Sequence, residues 1–238
     1  MPVPSQRYVR NHLLSILSPD DYEAIQSVAE GVALGRRDIL IAANKSITHV
    51  YFLESGIASE VAATPEGRRI EVCITGPEGI VGVPLLLDVD RTPHETFVQI
   101  EGDAVRVEAA AFRRLIEERR VLRRIFAHYA YVAHLQTAGT ALSNGSHTLE
   151  ERLARWLLMC HDRVDGDEFP VTHEFLSTML GVRRPGVTTA IHSLEGAGMI
   201  KARRSHVLVL DRDKLKAAAG DSYGVPETEY RRLLPAGR

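Results

Sequence analysis

Residues 172–200 read THEFLSTMLGVRRPGVTTAIHSLEGAGMI and predict two short helices joined by a tight turn. Thr172 suits the start of the first helix, because its hydroxyl can accept a bond from a backbone N–H. Gly181 permits the left-handed backbone that a tight turn between two helices needs. Apolar residues at helical spacing supply the predicted buried faces, namely Phe175, Leu176, Met179, Leu180, Val187, Ile191 and Leu194.

The second predicted helix covers about residues 184–196 and begins at Arg184-Pro185, since proline is tolerated in the first turn of a helix. In a helix-turn-helix this helix lies in the major groove, with its N-terminal residues toward the base edges. Arg184 is placed for bidentate contact with guanine, and Thr188 and Thr189 are candidates for contact with bases or thymine methyls. The candidate DNA-binding residues outside this base-reading group are Thr172, His173, Arg183, His192, Arg203, Arg204 and Ser205, most of them expected at phosphate or sugar.

The charge distribution supports a local polyanion site. The chain has a formal net charge of -2, yet residues 171–206 hold two acidic against five basic side chains. Residues 38–108 hold twelve acidic against five basic ones. The basic tip Arg203-Arg204-Ser205-His206 lies between two short apolar strands, as in the wing of a winged helix. The alternatives are a solvated basic face and two helices that merely pack together.

The pattern of the N-terminal part predicts an antiparallel β-roll of the jelly-roll type. Together with the predicted helices, this places the protein in the α+β class. Ser18-Pro19 predicts the start of a helix. Short apolar stretches then alternate with glycine turns. They lie at 39–41, 50–53, 70–74, 96–100 and 104–107.

A long helical stretch follows from Ala109 to Leu142, and Ser143-Asn144-Gly145-Ser146 predicts its end. Its apolar stripe alternates spacings of three and four, which favours dimerisation through a coiled-coil-like contact. A helix packed on its own β domain is the alternative. The predicted dimerisation residues are Leu122, Ile125, Tyr129 and Val132.

We therefore expect a β-roll sensor domain over 1–108, a dimerisation helix over 109–143 and a winged helix-turn-helix over 144–220. The tail, 221–238, is expected to pack on the winged helix through Tyr223, Tyr230, Leu233 and Leu234.

Composition excludes several classes of protein. Neither a membrane-spanning apolar run nor the apolar stretch of a signal peptide is present, so we expect a cytoplasmic protein without a membrane partner. The two cysteines, Cys73 and Cys160, are too few for a disulfide framework or a four-cysteine zinc site, and we expect no metal. The metalloprotease, nucleophile-elbow and phosphate-loop motifs are also missing, so we expect no enzyme.

Taken together, the sequence resembles the CRP/FNR family of bacterial transcription regulators over about residues 10–215. The resemblance rests on Val50-Tyr51-Phe52-Leu53-Glu54-Ser55-Gly56, on the turn Gly79-Ile80-Val81-Gly82, and on residues 172–200. It implies a homodimer on a near-palindromic DNA operator, with RNA polymerase as a further partner. Arg184 matches the family's base-reading arginine, whereas Pro185 and Thr189 stand where a glutamate and a second arginine are usual.

The resemblance raises the question of a cyclic nucleotide effector. Gly82 is followed by Val83-Pro84, where cyclic-nucleotide-binding members carry a glutamate for the ribose. His94-Glu95 stands where their Arg-Ser pair holds the phosphate, and losing one partner of a buried charge pair costs about 3–5 kcal/mol. We therefore expect the effector to be absent or not cyclic AMP. The predicted pocket residues are Val72, Ile74, Val81, Gly82, Val83, His94, Glu95 and Tyr129, with Leu85, Val98 and Val132 as further lining.

Other cofactors and functions remain open at this stage. An iron–sulfur cluster usually needs four thiolates, and the chain has two cysteines. Haem stays an alternative, with Cys73, His94, His128 and His134 as candidate ligands. The alternative function is a ligand- or haem-sensing module that signals through protein contacts.

Overall fold

The computed structural model describes residues 1–235, and contacts along the backbone group them into two units. The N-terminal unit contains residues 1–60, 74–134 and the segment from 227 onward. The C-terminal unit contains residues 61–73 and 135–226. Among residues 1–235, no helix combines the length and the apolar character that crossing a bilayer requires.

The elements of the first half of the chain are short helices and strands followed by two longer helices. The helices are α1 (His12–Ser15), α2 (Pro19–Gln26), α3 (Val83–Leu86), α4 (Ala109–Glu118) and α5 (Arg120–Ser146). The strands are β1 (Ala29–Leu34), β2 (Ile39–Ile41), β3 (His49–Leu53), β4 (Ile57–Ala63), β5 (Arg69–Thr75), β6 (Ile80–Val81), β7 (Glu95–Ile100) and β8 (Gly102–Glu108).

The strands form the two sheets of a β-roll, which confirms the predicted α+β class. One sheet has the order β1-β8-β3-β6 and the other β2-β7-β4-β5. Strand β8 pairs antiparallel with both β1 and β3, and Val105 lies opposite Gly31 on one side and Phe52 on the other. The division between units runs through β4 and β5. The hairpin tip, residues 61–73, therefore groups with the C-terminal unit.

An aromatic cluster joins the long helices to the β-roll of the N-terminal unit. Phe52 of β3, Phe112 of α4 and Phe126 of α5 are all fully buried. Their ring centroids lie 5.5 Å (Phe52 to Phe126), 5.6 Å (Phe112 to Phe126) and 6.4 Å (Phe52 to Phe112) apart. Such large rings bury much apolar surface, so this cluster fixes α4 and α5 on the sheet.

The predicted single helix over 109–142 is wrong in two respects. It is interrupted at Arg119, whose backbone is extended and whose guanidinium donates to Asp21 Oδ1 at 2.8 Å. The helix also continues through the predicted boundary at 143–146. The helix can continue because a serine or glycine destabilises a helix only by about 1 kcal/mol or less. In addition, Ser146 Oγ donates a hydrogen bond to the carbonyl of Leu142 one turn earlier.

The C-terminal unit has the elements of a winged helix. Its further helices are α6 (Leu149–His161), α7 (His173–Met179), α8 (Arg184–Gly196) and α9 (Arg212–Ala219), and its strands are β9 (Glu168–Pro170), β10 (Ile200–Arg203) and β11 (His206–Val209). Helix α6 begins with a capping box, in which Thr148 and Glu151 each bond the backbone N–H of the other.

The last helix, α10 (Val225–Leu233), continues into the segment that groups with the N-terminal unit. The hydroxyl of Tyr230 donates to the carbonyl oxygen of Glu78 at 2.7 Å and lies 2.7 Å from Nδ1 of His12. Burial lowers the pKa of His12, which favours a neutral imidazole beside this hydroxyl. Leu234 is buried in the core of the N-terminal unit, and Leu233 packs against that core.

The expectation that the tail packs on the winged helix is therefore wrong for Tyr230, Leu233 and Leu234. It holds for Tyr223, whose hydroxyl donates to Asp162 Oδ2 at 2.6 Å within the C-terminal unit. The tail changes units at residues 226 and 227, and its sequence carries no signal for that change.

Candidate DNA-binding site

The turn between α7 and α8 has the predicted geometry. Thr172 Oγ1 accepts the backbone N–H of Phe175 at 3.1 Å and so caps α7. Gly181 has a φ of +63°, in the left-handed region that favours glycine. The backbone N–H of Val182 then donates to the carbonyl of Ser177 at 2.9 Å, which closes the turn.

Helix α8 has a buried inner face and an exposed outer face. Its inner residues, Val187, Ala190, Ile191 and Leu194, are all buried. The side chains of Arg184, Thr189 and His192 are exposed, and so is Arg183, just before the helix. No hydrogen bond or ion pair with another residue of 1–235 engages the guanidinium of Arg183 or Arg184. The positive charge at the start of α8 is therefore available to an anionic partner.

His173 occupies a different position from the one expected of a simple phosphate contact. Its Nδ1 lies 3.1 Å from Oγ1 of Thr188, and that hydroxyl lies 3.2 Å from the carbonyl of Arg184. Because the hydroxyl proton points to the carbonyl, Nδ1 of His173 is the donor to Thr188. The imidazole thus links the first turn of α7 to the outer face of α8.

The wing is a sheet of order β10-β11-β9 with a basic tip. Arg203 pairs with His206 across a two-residue tip, Arg204-Ser205, in which Ser205 has a φ of +62°. Arg203 Nη1 lies 3.5 Å from Glu168 Oε1, so one wing arginine is partly neutralised. The Arg204 side chain is exposed and makes no such pair among the described residues.

The structure shows a further contact that packs against the turn between α7 and α8, and the sequence did not predict this contact. The hairpin tip places Ile70 beside Gly181, where a β-carbon on the glycine would lie 3.0 Å from Ile70 Cδ1. The next residue, Glu71, is buried and accepts from the indole Nε1 of Trp156 at 2.6 Å. Sequence alone gives no signal for this contact, because Glu71 and Trp156 lie 85 residues apart.

Two residues predicted for the effector pocket, Tyr129 and His94, contact other residues of the N-terminal unit. Tyr129 approaches Gly79 so closely that a β-carbon on the glycine would lie 2.1 Å from the tyrosine hydroxyl. This hydroxyl also lies 3.2 Å from Oγ1 of Thr75. His94 Nδ1 lies 2.9 Å from Glu60 Oε1, so His94 is paired with a carboxylate.

The remaining residues predicted for this pocket are spread over several environments. Ile74, Val81, Leu85 and Val98 are buried, whereas Val83 and Glu95 are half-buried. Gly82 has a φ of +114°, and a β-carbon there would lie 2.8 Å from Val50. Val72 belongs to the hairpin tip and so groups with the C-terminal unit.

The candidate haem ligands have different local environments. Cys73 is buried, His134 is exposed, and Nδ1 of His128 lies 3.4 Å from the carbonyl of Leu233. Within residues 1–235 no three or more His, Cys, Asp or Glu side chains form a group that could hold a metal ion.

The predicted dimerisation stripe faces the core of its own subunit. Leu122, Tyr129 and Val132 are buried, and Ile125 packs against the same core. The alternative interpretation, a helix packed on its own β domain, describes this face of α5. The outer face carries a different alternating series, Val121, Arg124, His128, Tyr131, Leu135, Ala138 and Leu142.

Comparison with protein families gives two matches, one in each half of the chain. Residues 32–119 match the cyclic nucleotide-binding domain, and residues 151–218 match the Crp-like helix-turn-helix domain. The search of curated proteins gives no match.

Several solved structures share the fold. FixK2 from Bradyrhizobium japonicum superposes with a TM-score of 0.70 at 16% identity, over 81% of this chain and 98% of that one. A CRP-family transcriptional regulator from Thermus thermophilus gives 0.67 at 20%, over 79% and 96%. The c-di-GMP-responsive regulator CLP from Xanthomonas campestris gives 0.62 at 15%, over 81% and 99%. At these identities the similarity establishes the fold.

Substitution of Gly181 by alanine tests the strained turn. We expect Gly181→Ala to lower the free energy of unfolding by about 1–2 kcal/mol, because alanine resists a positive φ. The contact with Ile70 adds to this cost. Urea unfolding monitored by circular dichroism measures the change.

The matched control is Gly196→Ala at the end of α8, where an added β-carbon meets nothing within 4 Å. That change should leave stability within about 1 kcal/mol of the wild type. Equal effects of the two substitutions would contradict the role of Gly181.

Proposed function

This chain belongs to the CRP/FNR family of DNA-binding transcription regulators, and from that premise we propose that it binds its operator as a homodimer. Each subunit would place α8 in the major groove of one half-site, with Arg184 on a guanine. The observation that carries the proposal is the division of α8 into a buried apolar face and an outer face, with two unengaged arginines where the helix begins.

Charge complementarity supports this docking. Arg183 and Arg184 begin α8, and Arg204 lies exposed at the tip of the wing. A duplex offers phosphates on both sides of the major groove, so these cations can contact the backbone while Arg184 reads a base. His173 and His192 complete the basic surface. We also propose RNA polymerase as a downstream partner and the bacterial cytoplasm as the location, as family membership implies.

The homodimer would form through the outer face of α5. This face exposes Val121 (44%), Tyr131 (48%) and Leu142 (63%) in a series whose spacings alternate between three and four residues. The seam of a two-stranded coiled coil has this spacing. Two-fold pairing would set the two α8 helices about 34–36 Å apart, one turn of DNA.

A cyclic nucleotide does not fit the N-terminal unit. No arginine stands at 94–95, and His94 is paired with the carboxylate of Glu60. The arginine that the family resemblance would place there for a buried phosphate is therefore missing. Tyr129 also fills the space next to Gly79. We therefore propose that the regulator responds to another signal or binds DNA constitutively.

Loss of the Arg184 side chain tests the base contact. We expect Arg184→Ala to weaken binding to a duplex selected by the wild-type protein from a random library by about 1–3 kcal/mol, roughly 5- to 150-fold. Binding to unrelated DNA should change much less. Fluorescence anisotropy at constant salt measures both affinities.

The neighbouring Arg183→Ala provides the contrast. As a phosphate contact, Arg183 should contribute equally to selected and unrelated DNA, and its loss should reduce the salt dependence of binding. If Arg184→Ala kept the full preference for the selected duplex, α8 would not be the recognition helix.

The dimer contact is tested by placing a charge on the outer face of α5. We expect Leu142→Asp combined with Val121→Asp to give monomers in sedimentation equilibrium, because two like charges would face each other across the seam. Leu210→Asp, on an apolar side chain that is 55% exposed at the end of the wing, is the control and should stay dimeric. A monomeric wild type, or a dimer unaffected by the double substitution, would exclude this contact.

Calorimetry tests the absence of a cyclic nucleotide site. Titration of the full-length protein with cyclic AMP should give no binding heat at micromolar concentrations, since no arginine stands at 94–95 to pair with the phosphate. The melting temperature should likewise not change on adding the nucleotide. A micromolar affinity would overturn this part of the proposal.

A further inference from the structure

The outer face of α8 carries two adjacent threonines in unequal environments. Thr188 is half-buried and Thr189 is exposed. Thr188 Oγ1 donates to the carbonyl of Arg184 at 3.2 Å and accepts from Nδ1 of His173 at 3.1 Å. Thr189 Oγ1 donates to the carbonyl of Pro185 at 3.2 Å. The two threonines therefore differ in the hydrogen-bonding groups that they can present to bases in the major groove.

A hydroxyl has one proton and two lone pairs. Thr188 uses its proton and one lone pair within the protein. Thr189 uses its proton on Pro185, so it presents outward a methyl group and lone pairs, but no donor. Thr189 is thus unsuited to guanine, whose major-groove edge offers only acceptors.

The edge that fits such a side chain is that of a thymine–adenine pair. Thymine offers its C5-methyl group for apolar contact, and adenine offers the N6 amino group to a lone pair. A cytosine–guanine pair offers an amino donor but no methyl. The methyl contact therefore separates thymine from every other base.

We propose that Thr189 is a specificity-determining residue that selects thymine in each half-site by contact between its methyl group and the thymine C5-methyl. This rests on the proposed placement of α8 in the major groove. Thr189 follows Arg184 by five residues, about 7.5 Å along a helix. At 3.4 Å per base pair, the selected thymine lies about two base pairs from the guanine bound by Arg184.

The test uses the full-length protein and deoxyuridine, which pairs like thymidine but lacks the methyl group. A duplex selected from a random library is synthesised with thymidine or deoxyuridine at each thymine of the half-sites in turn. At one position we expect the deoxyuridine duplex to bind about fourfold more weakly, the factor for burial of one apolar carbon. Deoxyuridine elsewhere serves as the internal control.

Three variants assign the effect to one side chain. Thr189→Ser keeps the hydroxyl and removes the methyl, so it should bind the two duplexes equally. Thr189→Val keeps a methyl and removes the hydroxyl, so it should retain the preference for thymidine. Thr188→Ser, the matched control on the neighbouring position, should also retain it.

The possible failures are distinguishable. Equal affinity of the wild type for all deoxyuridine duplexes, or a preference retained by Thr189→Ser, overturns the role of Thr189 while leaving DNA recognition by α8 intact. Arg184→Ala still loses specific binding in that case. If the library yields no preferred sequence at all, the proposed function itself fails, and the role of Thr189 fails with it.

Discussion

The geometry of the candidate DNA-binding surface depends on one left-handed residue, Gly181. Helix α7 ends at Met179 and α8 begins at Arg184, so the chain must change direction within four residues. A positive φ at Gly181 makes this change of direction possible, and Ile70 of the hairpin tip packs beside it. With the two helices fixed in this way, α8 buries all of its large apolar side chains on one side. The polar residues at its start are left on the other side.

The N-terminal unit has the family fold, with its own set of contacts at the turn around Gly79. The carbonyl of Gly79 accepts from the amide of Asn11 at 2.8 Å, and the carbonyl of Glu78 accepts from Tyr230 at 2.7 Å. Tyr129 then covers Gly79 from the side of α5. The residues around this turn thus contact one another. A β-roll of this type is therefore a scaffold, and the site has to be judged residue by residue.

Helix α5 illustrates how one periodicity can serve two faces. Its inner series, with Leu122, Phe126 and Tyr129, is buried on the β-roll. Its outer series, with Val121, Tyr131 and Leu142, remains exposed. Spacings of three and four residues occur in both, because any face of an α-helix repeats in this way. The apolar pattern therefore indicated helical structure over most of this stretch but could not say which face is buried on the β-roll.

The sequence by itself determined the elements of the winged helix and most of the β-roll. Local chemistry is sufficient there: Thr172 caps α7, Gly181 takes the left-handed turn and Pro185 sits in the first turn of α8. Only the tertiary structure decided that Trp156 meets Glu71 and that the end of α10 groups with the N-terminal unit. Such contacts join residues far apart in the chain. The energy of these contacts depends on how distant elements pack together, and local propensities for helix or strand do not encode that packing.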